Sequence, residues 1–134
     1  MFAKKSEMKK IDRLKKRSDF LWVQKNGRKW IAKGLIVEIA ENSDRGDSIG
    51  LRFGLTVSKR VSKLAVLRNR TKRRLRAICL EALPDYAHHN LDVVVIGRVS
   101  SQERTIEELR NDLVWCLKKM NISKMNIEKL GVKP

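Results

Sequence analysis

The chain has 134 residues, of which 42% are hydrophobic, and its 31 basic and 15 acidic side chains give a formal net charge of +16. This length suits one domain with a core of its own, and the hydrophobic fraction excludes wholesale disorder. The charge favours a polyanionic partner, either nucleic acid or an anionic membrane surface. Because no apolar run approaches the roughly 20 residues of a membrane span and no secretory signal follows the basic start, we expect a cytoplasmic protein.

The N-terminal segment is basic and unpatterned, so residues 1–16 are predicted to form a flexible basic arm. A short helix is predicted to follow, with Ser18 as its N-cap, Asp19 in its first turn and Asn26-Gly27 as its stop. Its apolar residues spread too widely around the helix for one buried stripe, so we expect part of the cluster to stay exposed. The cluster consists of Phe20, Leu21, Trp22 and Val23.

Two strands with alternating side chains are predicted next. The first runs from Trp30 to Ala40, and the second runs from Ile49 to Ser58 after a polar turn. In the second strand, one face is hydrophobic and the other consists of Gly50, Arg52, Gly54, Thr56 and Ser58. The hydrophobic face is therefore core. The other face leaves room for a large anionic ligand, although an ordinary solvated face explains the pattern equally well.

A dense cluster of cations follows. Between Ser48 and Leu80 the chain has ten Lys and Arg residues and no Asp or Glu, and six of these cations fall within residues 68–76. A helix is predicted from Leu67 to Leu83, ended by Pro84. Its predicted buried stripe is Leu67, Thr71, Leu75, Ile78 and Ala82. Neighbouring like charges on a helix are unfavourable by about 0.2–0.5 kcal/mol per pair, which a solvated face of alternating charge would avoid. The cluster therefore indicates a bound polyanion.

The remaining elements complete a single α/β sandwich. Asp92 to Arg98 is a nearly continuous apolar strand, as expected when both of its faces are buried. Thr105 and Glu108 form a capping box for a last helix, and the tail 121–134 is predicted to be weakly ordered. The predicted core stripe of that helix is Ile106, Leu109, Leu113, Cys116 or Leu117, and Met120. Since no linker or repeat divides the chain, residues 1–134 are predicted to form one domain.

Motifs for catalysis by protein side chains are scarce. His88-His89 is the only histidine pair, and a metal site would need further ligands at defined spacing. Cys79 and Cys116 fall on apolar helix faces, so we expect small buried residues in a reducing compartment rather than a disulfide. The basic region has no paired-carboxylate pattern, no glycine-rich phosphate loop and no nucleophile elbow. A protein-only nuclease therefore has little support, and no catalytic side chain is assigned.

The composition of the cation cluster points to RNA. Five of its six cations are arginines, whose planar fork can hold two phosphate oxygens and stack on a base. Asn69 can hydrogen-bond a base edge or a 2′-hydroxyl, or brace the neighbouring loop. A short Arg-rich helix suits A-form RNA, which is recognised through its backbone, its shallow groove and its unstacked bases. We therefore predict a single RNA-binding domain, with neither DNA nor a membrane as partner.

Three stretches carry a family resemblance. The central one is Arg52-Phe53-Gly54-Leu55-Thr56-Val57-Ser58-Lys59-Arg60, followed by Ala65 and by Arg68-Asn69-Arg70-Thr71-Lys72-Arg73. Leu14-Lys15-Lys16-Arg17-Ser18-Asp19-Phe20 precedes it together with Gly27-Arg28-Lys29, and Asp92-Val93-Val94-Val95-Ile96-Gly97-Arg98 follows it. Taken jointly, from about Leu14 to Met120, the sequence resembles the protein subunit of bacterial ribonuclease P.

The resemblance implies a fold and an activity. The fold would be a two-layer α/β (α+β) sandwich with a small mixed sheet of about four strands, in which the basic helix makes a βαβ crossover of the rare left-handed sense. The catalyst would be the RNA subunit, whose bound Mg²⁺ ions hydrolyse precursor tRNA to release its 5′ leader. The protein would then be the non-catalytic subunit of an RNA-based endoribonuclease, with the catalytic RNA and precursor tRNA as its partners.

The resemblance also implies site residues. Contacts with RNA are expected from Lys59, Arg60, Arg68, Asn69, Arg70, Lys72, Arg73 and Arg76. A cleft for the leader, between the first helix and the sheet, is expected to include Phe20, Trp22, Arg52, Thr56 and Ser58. Gln24 stands where many members carry a second aromatic residue, so either base stacking is weaker here or Trp22 substitutes. Ser62-Lys63-Leu64 occupies a loop that often contains glycine.

Two other functions share some of these features. A ribosomal protein or RNA chaperone would show the same basic surface, but it would not prefer precursor over mature tRNA in the presence of the catalytic RNA. A protein-only nuclease would cleave after all co-purifying RNA has been removed. The resemblance favours the ribonuclease P subunit over both.

Overall fold

A computed structural model describes residues 11–42, 50–86 and 91–120. These residues form five strands, three α-helices and one 3-10 helix. In chain order they are β1 (Asp12–Arg13), α1 (Arg17–Asn26), β2 (Arg28–Ile31), β3 (Leu35–Glu41), β4 (Arg52–Thr56), α2 (Ala65–Tyr86), β5 (Leu91–Gly97), the 3-10 helix (Val99–Glu103) and α3 (Ile106–Lys119).

The strands form one mixed sheet in the order β1-β4-β5-β3-β2. Strands β4 and β5 are parallel, with Arg52 opposite Asp92 and Thr56 opposite Ile96, and β3 lies antiparallel to β5 and to β2. Helix α2 connects the parallel pair β4 and β5, since these strands require a crossover. The predicted α/β sandwich with a mixed sheet is confirmed, and the hand of its crossover stays a prediction.

Most of the core lies between the sheet and the pair α2 and α3. It includes Phe53, Val95, Leu75 and Leu113, each 1% exposed or less, and burying such a side chain contributes about 1.5–3 kcal/mol. A smaller cluster on the opposite face joins α1 to the sheet through Val23 and Val94. Both faces of the sheet are therefore covered, which explains why β5 is nearly continuously apolar.

Helix α1 lies close to the sheet because Gly54 has no side chain. A Cβ at this position would lie 2.6 Å from the Cε1 and Cζ atoms of Phe20 and 3.2 Å from Cβ of Leu14. We expect Gly54→Ala to displace the Phe20 ring and to lower the free energy of unfolding by about 1–3 kcal/mol. Urea denaturation measures the effect. Thr56→Ala, at an exposed position of the same strand, is the control, and equal stabilities of the two variants would contradict this packing.

Regular structure begins nearer the N-terminus than predicted, inside the predicted arm. Residues 1–10 lie outside the described part of the chain, but Asp12–Arg13 pairs with β4. The Leu14 amide donates to the Phe53 carbonyl at 2.7 Å, and the Leu14 side chain is 6% exposed. The prediction of a flexible arm up to residue 16 therefore does not hold from Asp12 to Leu14, because a strand of two residues is too short to leave an alternation in the sequence. The tail 121–134 lies outside the described residues.

Several element boundaries also differ from the predictions, including those of β4, which covers Arg52–Thr56 within the strand predicted from Ile49 to Ser58. The strand expected from Trp30 to Ala40 is a hairpin of β2 and β3, because the chain turns at Gly34, where the Ser101 hydroxyl donates to the Gly34 carbonyl. Helix α1 begins at Arg17 and has Lys16, not Ser18, as its N-cap. Helix α2 continues through Pro84 to Tyr86, since one missing hydrogen bond near the end is tolerated where Ala82 and Leu83 are buried.

The structure of the last helix and of the two cysteines largely agrees with the predictions. The capping box of Thr105 and Glu108 is present, although Ile106 is 39% exposed and does not belong to the core stripe. Cys79 and Cys116 are buried and free, and burial raises the pKa of both thiols, that of Cys116 to about 12. Among the described residues, no helix is long and apolar enough to cross a membrane.

Candidate nucleic-acid interface

Helix α2 has one buried side, and its cations point away from the core. Thr71, Leu75, Ile78 and Ala82 are buried as predicted, whereas Leu67 is half-buried. Of the residues expected to contact RNA, Asn69, Arg70 and Arg73 are exposed, and Lys72 and Arg76 are half-buried. The buried stripe anchors the helix on the sheet, so the cations are held in a fixed arrangement.

Two arginines of α2 serve the protein itself. The Nη1 atom of Arg68 donates to the carbonyls of Ser62 at 2.9 Å and Lys63 at 3.0 Å. Arg68, and not Asn69, thus braces the loop before the helix. The Nη2 atom of Arg74 donates to the carbonyl of Arg104, which turns Arg74 towards α3. On α2, the exposed guanidiniums are therefore those of Arg70 and Arg73.

The predicted cleft is a strip of open sheet beside α1. On the face that α1 covers, the register brings Ile36, Ile96 and Thr56 into one row across β3, β5 and β4. Thr56 is exposed and the two isoleucines are half-buried, whereas the neighbouring row with Gly54 and Val94 is buried under α1. The strip is thus a shallow groove with an apolar floor.

The walls of the groove carry most of the predicted cleft residues. Phe20 and Trp22 are half-buried, and both pack against the smaller core cluster; of the two, Phe20 lines the cavity beside Gly54. Ser58, Lys59 and Arg60 are exposed just beyond the end of β4. Gln24 is exposed on α1, and the substitution of Trp22 for a second aromatic residue in the groove stays a prediction. A groove of this kind can hold unstacked bases against its aromatic wall.

Arg52 does not line this groove. Its Nε and Nη2 atoms donate to the two carboxylate oxygens of Asp92, at 2.9 and 2.8 Å, and its Nη1 atom lies 3.7 Å from Oδ2 of Asp19. The hydrogen bond with Asp92 raises the pKa of Arg52. The guanidinium faces two buried carboxylates and ties α1 to β4 and β5, and a contact of Arg52 with the leader stays a prediction.

A cavity of about 150 Å³ joins the groove to the cations of α2. It lies where β1 has ended and the edge of β4 is open, with Phe20 on one side and α2 on the other. Its charged lining residues are Arg13, Lys72 and Arg76, with no acidic residue among the lining. The Nε atom of Arg76 is buried and has no hydrogen-bond partner in the described part of the chain. Buried donors are almost always paired, so the unpaired donor and the three cations make an anion the best candidate to occupy this cavity.

Three functional candidates escaped the sequence reasoning. Arg13 was assigned to the arm, and its place in the cavity depends on β1, for which no pattern exists. Ile36 and Ile96 were predicted as strand residues, but their partial exposure follows from how far α1 extends over the sheet. Their exposure could not be predicted, because the sequence does not show where α1 lies on the sheet.

The described residues contain no cluster of three or more His, Cys, Asp or Glu side chains that could hold a metal ion. Of the carboxylates near the groove, Asp19 and Asp92 are engaged with Arg52, and Oε2 of Glu38 lies 4.0 Å from Nζ of Lys29. His88-His89 lies outside the described residues. What the arrangement offers chemically is a set of cationic donors beside an apolar groove, which suits binding of a phosphodiester chain.

Fold and site together define a small basic α/β protein with a candidate surface for nucleic acid. The family model for ribonuclease P matches residues 8–121. The ribonuclease P protein component of Paramagnetospirillum magneticum is 46% identical over 114 residues, covering 83% of this chain and 84% of that protein. The one from Gluconacetobacter diazotrophicus is 40% identical, covering 82% and 91%.

Solved structures agree with this assignment. The RNase P protein of Staphylococcus aureus has a TM-score of 0.71 at 28% identity, covering 86% of this chain and 100% of that chain. The RNase P protein of Thermotoga maritima has a TM-score of 0.67 at 28% identity, covering 81% and 96%. The chain belongs to the ribonuclease P protein family, the protein component of a tRNA-processing ribonuclease that also contains RNA.

Proposed function

We propose that this chain binds the catalytic RNA of ribonuclease P through α2 and holds the 5′ leader of precursor tRNA in the groove beside α1. Cleavage itself is assigned to Mg²⁺ ions bound mainly by the RNA, and the protein supplies no catalytic side chain. The proposal places the particle in the cytoplasm, a reducing compartment that suits two buried free thiols.

The observation that carries this proposal is the cavity lined by Arg13, Lys72 and Arg76. It connects two surfaces that the sequence could only describe separately, the cations of α2 and the groove with Phe20. An RNA strand that leaves the groove around the open edge of β4 meets these cations next. One continuous path therefore serves both the substrate and the catalytic RNA.

The proposed mechanism is electrostatic. Two RNA molecules repel each other through their phosphates, and cations placed between them reduce that repulsion. The exposed Arg70 and Arg73 can hold phosphate oxygens in bidentate fashion, while the groove binds the leader mainly through apolar and aromatic contacts. The protein should thus tighten substrate binding and lower the Mg²⁺ concentration that cleavage requires.

Reconstitution tests the proposal directly. The chain is mixed with ribonuclease P RNA at a Mg²⁺ concentration too low for the RNA alone, and cleavage of precursor tRNA is followed. We expect a large gain in cleavage together with tighter binding of precursor than of mature tRNA. Binding without any preference for the precursor would favour a general RNA-binding protein, and cleavage without the RNA subunit would favour a protein-only nuclease.

Anions should stabilise the free protein. Its cations repel one another, and an anion that binds only the native state stabilises it by about 2.7 kcal/mol at a hundredfold excess over Kd. We expect the melting temperature to rise with sulfate well beyond its rise in chloride of equal ionic strength. Arg76→Gln should reduce the difference, since it alters the cavity. Coinciding sulfate and chloride curves would contradict an anion site.

A further inference from the structure

A second exposed aromatic surface lies at the edge of the sheet far from β1. Trp30 of β2 and Trp115 of α3 are 38% and 44% exposed, with ring centroids 6.1 Å apart and planes tilted by 58°. Ile31 beside them is 55% exposed. Trp30 pairs with Val37, whose side chain enters the main core, and Trp115 belongs to α3, which covers that face, so these rings lie on the opposite face of the sheet from the groove beside α1.

Of the aromatic pair, Trp115 lines a groove of about 640 Å³ between the β2–β3 turn and α3. We call it the tryptophan groove. Its apolar surface comes from Ile31, Ala32 and Trp115, and its exposed polar side chains are Lys33 and Asn111. A volume of this order suits a small ligand or a few groups of a larger one.

The charge of the tryptophan groove is positive. Three of its lining residues are basic, Lys33, Arg98 and Arg104, and one is acidic. The acidic residue, Asp112, accepts two hydrogen bonds from Arg104, at 2.6 and 3.0 Å, which compensates its charge. The Nζ atom of Lys119 lies 5.8 Å from the centroid of the Trp115 ring. An anionic ligand with flat apolar groups fits this lining best.

We propose that the tryptophan groove binds unpaired nucleotides of RNA, with a base against Trp115 and the phosphate near Lys33. Stacking on an aromatic ring beside cations is how proteins hold single strands, and the amide of Asn111 can pair with a base edge. A second copy of this chain is the less suitable occupant, because two molecules of charge +16 repel each other. The inference rests on the proposed function only in that the ligand is RNA.

Tryptophan fluorescence tests the assignment. The chain has three tryptophans, so Trp22→Phe leaves emission only from Trp30 and Trp115. Titration with single-stranded oligoadenylate should quench this emission to saturation. Adding Trp115→Leu should weaken the affinity of that oligonucleotide by roughly fivefold to a hundredfold, as for loss of one stacked base. Leu80→Ala, another exposed apolar residue at 47%, should leave the affinity unchanged.

A further double variant, and a repeat of the titration in a background that lacks the α2 arginines, distinguish a failure of this assignment from a failure of the proposed function. Lys33→Ala with Asn111→Ala removes exposed side chains only, so it should fold normally and weaken binding severalfold. In the Arg70→Ala, Arg73→Ala background, quenching should persist while binding of the catalytic RNA is lost. Three results would each overturn the assignment: no quenching, quenching that is lost in the Arg70→Ala, Arg73→Ala background, or a dimer that dissociates on Trp115→Leu. None of them depends on the outcome of the reconstitution experiment.

Discussion

Replacing Arg70 and Arg73 together with alanine should weaken binding of the catalytic RNA by about a hundredfold at moderate salt. Both guanidiniums are exposed on α2, and a hydrogen bond to a charged group contributes about 1.5–3 kcal/mol, where 1.4 kcal/mol is a factor of ten. Each lost phosphate contact should also reduce the slope of log affinity against log salt by about 0.7–0.9. Filter binding over a range of salt concentrations measures both quantities.

A variant of equal charge provides the control. Arg110→Ala with Lys118→Ala removes two cations from α3, and it should change the affinity much less than the α2 pair does. Circular dichroism should show that both double variants remain folded, because none of the four side chains is buried. Equal losses of affinity in the two double variants would mean that net charge, and not the arrangement on α2, governs binding.

Asp92→Asn should lower the free energy of unfolding by about 3 kcal/mol, because breaking a buried ion pair leaves an uncompensated charge. Asp92 is fully buried and accepts from Arg52 twice and from Asn42 at 2.7 Å. In a chain of this length, about 3 kcal/mol corresponds to a fall of roughly 10 °C in Tm. Thermal denaturation measures the fall directly.

The exposed ion pair of Glu81 and Arg110 supplies the comparison, since its carboxylate side chain is 58% exposed. Glu81→Gln should cost at most about 0.5 kcal/mol. The double variant Arg52→Gln, Asp92→Asn should lose less than the sum of the two single losses, as partners in contact do. A strictly additive double variant would show that Arg52 and Asp92 do not stabilise the fold as a pair.

Periodicity and capping determined which parts of the fold the sequence could predict. The alternation around Phe53 and the helical stripe through Leu75 place both elements correctly, since their side chains enter one core. The strand at Val94 follows from its continuous apolar run. Strand β1 could not be predicted, because Asp12–Arg13 is held by backbone pairing that has no side-chain signature.

The sequence predicted which types of residue form the candidate site, but not which contacts each of them makes. The excess of cations indicated α2, but which of them are free depends on neighbours that are distant in sequence. Arg74 reaches the carbonyl of Arg104, and Arg52 reaches Asp92, forty positions away. The spacing of residues within one helix or strand cannot show either contact, because Arg104 and Asp92 lie in other parts of the chain. The cavity beside Arg76 depends likewise on where β1 ends.

The shortness of β1 has a consequence for the free protein. Beyond Phe53, the outer edge of β4 has no strand partner within the described ranges, and an open edge of this kind invites pairing with another chain and hence aggregation. Arg13, Lys72 and Arg76 line the cavity at this edge, so an approaching second molecule meets like charge. The cations proposed to hold RNA thus also keep unassembled molecules apart, and neutralising them should make the protein prone to precipitate.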